Sequence, residues 1–260
     1  MANKTRIICI ANQKGGVGKT TTAINLSAAL AMLGKRVLLA DCDAQANATS
    51  GLGFELMAVA GVCIYCAVAG KVDIQDIIRV TNIPNLYLLP ATTDLVGVEM
   101  ELAARPNREF VLKDLLSGLK GYDFILIDCP PSLGLMTINA LVAADSVLIP
   151  LQCEYYALEG LSHLLKTIRL VKHNFNPKLY IEGILLTMAD HRMRLSVQVA
   201  SDVRNHFKSL VYDTVIPRNI RLSESPSHGK PIFLYDPKSK GAEGYASLAQ
   251  EFLNRMAYDS

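Results

Sequence analysis

The chain has 260 residues, half of them hydrophobic and 19 % charged, with a formal net charge of +2. This composition excludes a disordered chain and suffices for a sizeable core. No apolar run reaches the about 18 residues of a membrane span and no secretory leader pattern precedes the first strand, so a cytoplasmic protein with reduced thiols and no membrane contact is expected.

In chain order, Arg6–Ala11 reads as a buried strand and Thr20–Leu33, rich in Ala and Leu and stopped by Gly34, as a helix. Between them lies Lys14-Gly15-Gly16-Val17-Gly18-Lys19-Thr20, which ends as the P-loop pattern Gly-x-x-x-x-Gly-Lys-[Ser/Thr] ends. Gln13 stands where the pattern has its first glycine, and a second lysine, Lys14, opens the run. Gly15, Gly16 and Gly18 let the backbone curl so that successive N–H groups, from Gly15 through Val17 to Thr21, surround phosphate oxygens. The helix adds its positive dipole end. Lys19 then reaches the β/γ-phosphates of a nucleotide, and the Thr20 hydroxyl is a candidate Mg²⁺ ligand.

Arg36–Asp41 reads as a buried parallel strand ending in Asp41-Cys42-Asp43. In doubly wound sheets ligands sit at the carboxyl ends of strands, so both aspartates are expected to face the phosphates. Ala44–Gly53, rich in small and polar residues, reads as a loop beside the nucleotide, either mobile or a fixed turn. Helical segments are expected over Gly61–Ala69, Ile74–Val80, Leu95–Ala104 and Glu109–Leu119, with a short strand at Leu86–Leu89. Cys63 and Cys66 have CxxC spacing, but no second pair or nearby histidine completes a metal set, so they read as core residues with zinc or redox use as the alternative.

Tyr122–Asp128 is a second buried strand with an acid at its end, a Walker-B-like arrangement. Asp128 can hold Mg²⁺ through water while Pro130 and Pro131 stiffen the turn; a helix N-cap aspartate is the alternative. Helix Leu133–Ala143, strand Ser146–Leu151, helix Tyr155–His173, strand Leu179–Leu186, helix Ser196–Phe207, strand Val211–Ile216 and helix Glu243–Ala257 follow. Strand and helix alternate throughout with no composition break. The expected architecture is therefore α/β: a single doubly wound, mostly parallel sheet with helices on both faces, in one domain spanning 1–260. Residues 191–240 carry nine Lys/Arg against four Asp/Glu, whereas 1–190 carry 16 against 17. That excess suggests a localised anionic partner, with an ordinary solvated basic face as the alternative.

With Lys14–Thr20, Asp41-Cys42-Asp43, Asn47–Gly53 and Ile127-Asp128-Cys129-Pro130-Pro131-Ser132 in view, the chain resembles the ParA/Soj chromosome-partitioning ATPases, the deviant-Walker branch that includes MinD. Ile216–Pro231, Tyr235-Asp236-Pro237 and Gly241-Ala242-Glu243 extend the likeness nearly end to end. The resemblance implies ATP and Mg²⁺ as cofactors and an ATP-dependent sandwich homodimer, in which Lys14 reaches into the partner's site as a cation supplied in trans. It implies that Asp43 positions or activates the attacking water, that Asp41 lies near the Mg²⁺ shell, and that Asp128 is the Walker B aspartate. Residues 41–50 and 128–134 correspond to the two switch regions. Thr187-Met188 and Pro217 with Asn219 lie where the family contacts adenine.

The resemblance further implies sequence-independent DNA binding, a ParB-like stimulating partner and association with the nucleoid. Arg192, Arg218 and Arg221 are the candidate phosphate contacts, with internal ion pairing as the alternative for Arg218 and Arg221. Two departures matter. The usual Asp-Pro-Gln-Gly-Asn loop here reads Asp43-Ala44-Gln45-Ala46-Asn47, which changes the stiffness of the first switch but not its carboxylates. Neither the helix-turn-helix of longer plasmid relatives nor the basic amphipathic tail of MinD is expected, since few residues precede the first strand and the last helix reads Arg255-Met256-Ala257-Tyr258-Asp259-Ser260. A MinD-like or polar-localisation ATPase, acting as a nucleotide-gated scaffold without DNA binding, is the alternative function.

Overall fold

The computed structural model describes residues 4–190 and 192–258. Its strands are β1 (Arg6–Ile10), β2 (Val37–Asp41), β3 (Arg79–Val80), β4 (Leu86–Leu89), β5 (Phe124–Asp128), β6 (Ser146–Gln152), β7 (Tyr180–Ala189) and β8 (Val211–Pro217). They form one sheet in the order β3-β4-β2-β5-β1-β6-β7-β8. Every pairing is parallel except β3 with β4. The helices are α1 (Lys19–Met32), α2 (Asn47–Gly51), α3 (Ile64–Val68), α4 (Val98–Leu102), α5 (Val111–Ser117), α6 (Leu135–Ala143), α7 (Ala157–Asn174), α8 (Arg194–Phe207), α9 (Ile220–Glu224), α10 (Ile232–Tyr235) and α11 (Lys240–Tyr258).

The two-residue period of the strands explains why both faces are covered. Along β1 and β5, Cys9, Ile125 and Ile127 point to one core, shared with Leu112, Leu141, Leu161 and Leu164 from α5, α6 and α7. Ile8, Ile10, Phe124 and Leu126 point to the other, shared with Leu26 and Leu30 of α1 and Leu248 and Phe252 of α11. Each fully buried Leu or Ile contributes roughly 1.5–3 kcal/mol, so these two layers hold the sheet.

Two expectations need correction. The stretch Ala44–Gly53 is not a loop throughout, since α2 occupies Asn47–Gly51. Ile74–Val80 is not one helix; a 3-10 turn over Ile74–Ile77 gives way to β3, the antiparallel edge strand. Between β8 and α11, where the sequence reading assigned no element, lie α9, a 3-10 turn over Ser225–His228, and α10. Gly53 and Gly229 meet backbone to backbone between α2 and that turn. Both have positive φ, and a Cβ on Gly229 would lie 2.6 Å from the Gly53 Cα. The tail expectation extends to Asp259 and Ser260, which lie outside the described residues. Among the described residues, no helix is long and apolar enough to cross a membrane.

Candidate functional site

The loop after β1 is anchored before it turns. Asn12, 3 % exposed, donates from Nδ2 to the Pro150 carbonyl of β6 (2.7 Å) and accepts the Lys14 N–H on Oδ1 (3.0 Å). Gly16 and Gly18 adopt the left-handed φ values of +73° and +88° that the curl requires. On the far side, the Thr187 hydroxyl of β7 donates to the Val17 carbonyl (2.8 Å), and the Val17 side chain is buried beneath the loop. Lys19 opens α1 nearly buried, its Nζ donating to the Lys14 carbonyl (3.1 Å). Burial pushes its pKa down, and the Asp128 carboxylate opposes that shift. Lys14 turns away from this cluster. Its ammonium pairs with Glu154, whose other oxygen accepts from the Gln152 amide.

The acids fall into three different environments. Asp128 pairs in register with Asp41 across β5 and β2 and is completely buried. Neither of its carboxylate oxygens has a hydrogen-bond partner among the described residues. Burial first, then the neighbouring Asp41 charge, push its pKa well up, while the nearby Thr20 hydroxyl favours the charged form. An orphaned carboxylate beside a threonine hydroxyl is a donor set that a hard divalent cation fits. Asp43, 6 % exposed, accepts the Gln45 N–H on Oδ1 (3.0 Å) and lines the cavity above. Asp41 does not line that cavity. Its oxygens accept from Asp43 N, Thr49 N and the Thr49 hydroxyl, and burial still raises its pKa to about 6 against these bonds.

The cavity has a volume of about 700 Å³. Gly15, Gly16, Gly18, Lys19, Thr20 and Thr21 line it together with Asp43, Met188, Pro217 and Asn219. The Asn219 side chain also caps α9 by accepting the Leu222 N–H (3.3 Å). Gln45, Pro131 and Tyr245 line it too and were not named as ligand-contacting residues from the sequence. Pro131 and Gln45 lie within stretches already assigned to the site, whereas nothing local marks Tyr245, which comes from α11 and meets the Thr22 hydroxyl (3.1 Å).

The three candidate arginines separate. Arg192 grips Asp190 with two hydrogen bonds (3.0 and 2.9 Å), which holds the Asp190 carboxyl at about 2. Arg221 spans Glu224 (2.9 Å) and Asp236 (3.4 Å), so internal pairing applies to it. Arg218 is exposed at the cavity's edge without an ion pair among the described residues. The Cys63 and Cys66 sulfurs lie 3.8 Å apart, buried, with Cys63 also against the Thr92 hydroxyl.

A family model described as an AAA domain matches residues 5–181. The sporulation initiation inhibitor protein Soj of Bacillus subtilis (strain 168) is 60 % identical over 247 residues, covering 95 % of this chain and 97 % of that protein. The chromosome partitioning protein ParA of Myxococcus xanthus (strain DK1622) is 58 % identical over 251 residues, covering 96 % and 88 %. Among solved structures, cobyrinic acid a,c-diamide synthase from Mycobacterium smegmatis with bound ADP and magnesium superposes with a TM-score of 0.86 at 38 % identity, covering 99 % and 97 %. The higher identity lies with the partitioning proteins, and a shared fold alone does not carry an activity.

Proposed function

The chain belongs to the Soj/ParA family of chromosome-partitioning proteins, and we propose that it works as a nucleotide-gated dimer on DNA. It is an ATPase that uses ATP and Mg²⁺. What carries the reading is that Lys19, Thr20 and Asp43 line one cavity, with the buried carboxylate of Asp128, unpartnered among the described residues, close to Lys19 and Thr20. Loop N–H groups and Lys19 bind the phosphates, and Asp43 orients the attacking water and takes its proton. Mg²⁺, held by Thr20 and Asp128, would neutralise charge on the phosphate oxygens. Met188, Pro217 and Asn219 receive the base.

In this reading Lys14 leaves Glu154 when two copies close over their nucleotides, and supplies its charge to the partner's γ-phosphate. The dimer binds duplex DNA without sequence preference, with unpaired Arg218 the first contact. A ParB-like protein stimulates turnover, the chain 1–260 acts as one domain, and the working location is the nucleoid.

Replacing Lys14 with Ala tests this. ATP-dependent dimerisation, followed by light scattering, is lost while a fluorescent ATP analogue still binds; unchanged dimerisation and turnover would overturn the trans role. A gel shift with arbitrary duplex DNA shows ATP-dependent binding that weakens with salt. No shift at low salt would favour the scaffold reading instead.

A further inference from the structure

Asp41 is engaged in a way that a metal-shell role does not explain. Its Oδ2 accepts both the Thr49 N–H (2.8 Å) and the Thr49 hydroxyl (2.7 Å), and its Oδ1 accepts the Asp43 N–H (3.2 Å). The Thr49 oxygen in turn accepts the Ala91 N–H (2.9 Å), just beyond β4. Both Asp41 and Thr49 are completely buried. One hydroxyl thus joins three segments: the end of β2, helix α2, and the chain leaving β4. The other end of α2 packs closely, Gly51 leaving no room for a Cβ against the Ile24 side chain (2.6 Å).

We propose that Thr49 and Asp41 are positioning residues that aim Asp43. This rests on the reading of Asp43 as the group that orients water. The Asp41 carboxylate fixes the Asp43 backbone, and Gln45 N–H fixes one Asp43 oxygen, which leaves the second oxygen a defined direction over the cavity. Without the Thr49 hydroxyl, Asp41 is free to turn and α2 is released from the Ala91 N–H. Asp43 then samples directions in which a water is not in line with the phosphate, and a displacement of about 1 Å at such a group can cost on the order of 10²-fold in rate. Nucleotide and metal affinity are set elsewhere, by the loop, Lys19, Thr20 and Asp128.

The test compares Thr49→Val, close in shape but without the hydroxyl, with Thr49→Ser, which restores it. In Thr49→Val, kcat for ATP falls about tenfold or more while KM and the Mg²⁺ concentration for half-maximal turnover stay within about twofold; Thr49→Ser recovers most of kcat. Asp41→Asn shows the same pattern, and the double variant is no worse than the poorer single one, as expected of residues acting as a unit. If Thr49→Val does not fold, Thr49→Cys takes its place. A wild-type kcat in Thr49→Val, alongside an inactive Asp43→Ala, overturns the positioning role and leaves the parent reading standing. A raised Mg²⁺ requirement confined to Asp41→Asn overturns it in favour of a metal role. Normal turnover in Asp43→Ala overturns the parent reading itself.

Discussion

The segments that follow β2 and β5 leave the same edge of the sheet from neighbouring strands, and both border the cavity. After β2 the chain is held at nearly every residue: Ala46, Ala48 and Thr49 are completely buried, Asp41 grips Thr49, Gly51 packs on Ile24 and Gly53 rests on Gly229. After β5, Pro131 and Ser132 are exposed, Leu133 and Gly134 half-buried, and the Thr137 hydroxyl holds the Ser132 carbonyl. The first segment carries a side chain whose direction matters, and a catalytic group needs a supporting shell to keep that direction. The second carries mainly backbone, and weakly supported backbone can follow the presence or absence of a phosphate at little cost.

The largest expected effect tests the first half of that contrast. Asp43→Ala should lower kcat on the order of 10²–10⁴-fold with ATP binding retained, measured by phosphate release. Next, Gly229→Ala should destabilise the fold by about 2–3 kcal/mol, because it combines a left-handed φ of +62° with a backbone collision. In a thermal melt that is a drop of about 5–10 °C. Ala46→Gly should move the other way. Ala46 sits at φ +51° at the start of α2, where the resemblance places a glycine, so relief of that strain should stabilise by about 0.5 kcal/mol in urea unfolding. Pro131→Ala in the second segment should change stability by less than about 0.5 kcal/mol. A loss there as large as that of Gly229→Ala would dissolve the contrast between the two segments.

The alternation of strand and helix was legible because the central strands β2 and β5 are buried throughout and the glycines at 18 and 34 bracket α1. The phosphate end of the site was legible because its chemistry demands residues at fixed spacing. What escaped depends on contacts between distant residues. Helix α2 has a sequence of weak helix formers, and tertiary contacts through Thr49 and Gly51 hold it. β3 is two residues long, too short for a period to show. Helix α11 begins at Lys240 and not Glu243; the Ser239 hydroxyl accepts the Ala242 N–H there, a cap the sequence did offer. Asn219 did hold a readable signal for α9, since asparagine is a favoured N-cap. The arginines show the limit most plainly: sequence counts charge, but only the fold shows that Arg192 and Arg221 sit in ion pairs while Arg218 has none among the described residues.

The contact between Gly53 and Gly229 has a mechanical consequence. Most packed surfaces meet through side chains, which absorb small displacements by changing rotamer. Here two main chains touch with nothing interposed, so the joint has no compliance of that kind and behaves as a bearing. No side chain stands between the α2 end and the Ser225–His228 turn that follows α9 to absorb a displacement of either. The segment beside the phosphates and the arginine-bearing segment near the surface therefore meet at one stiff joint.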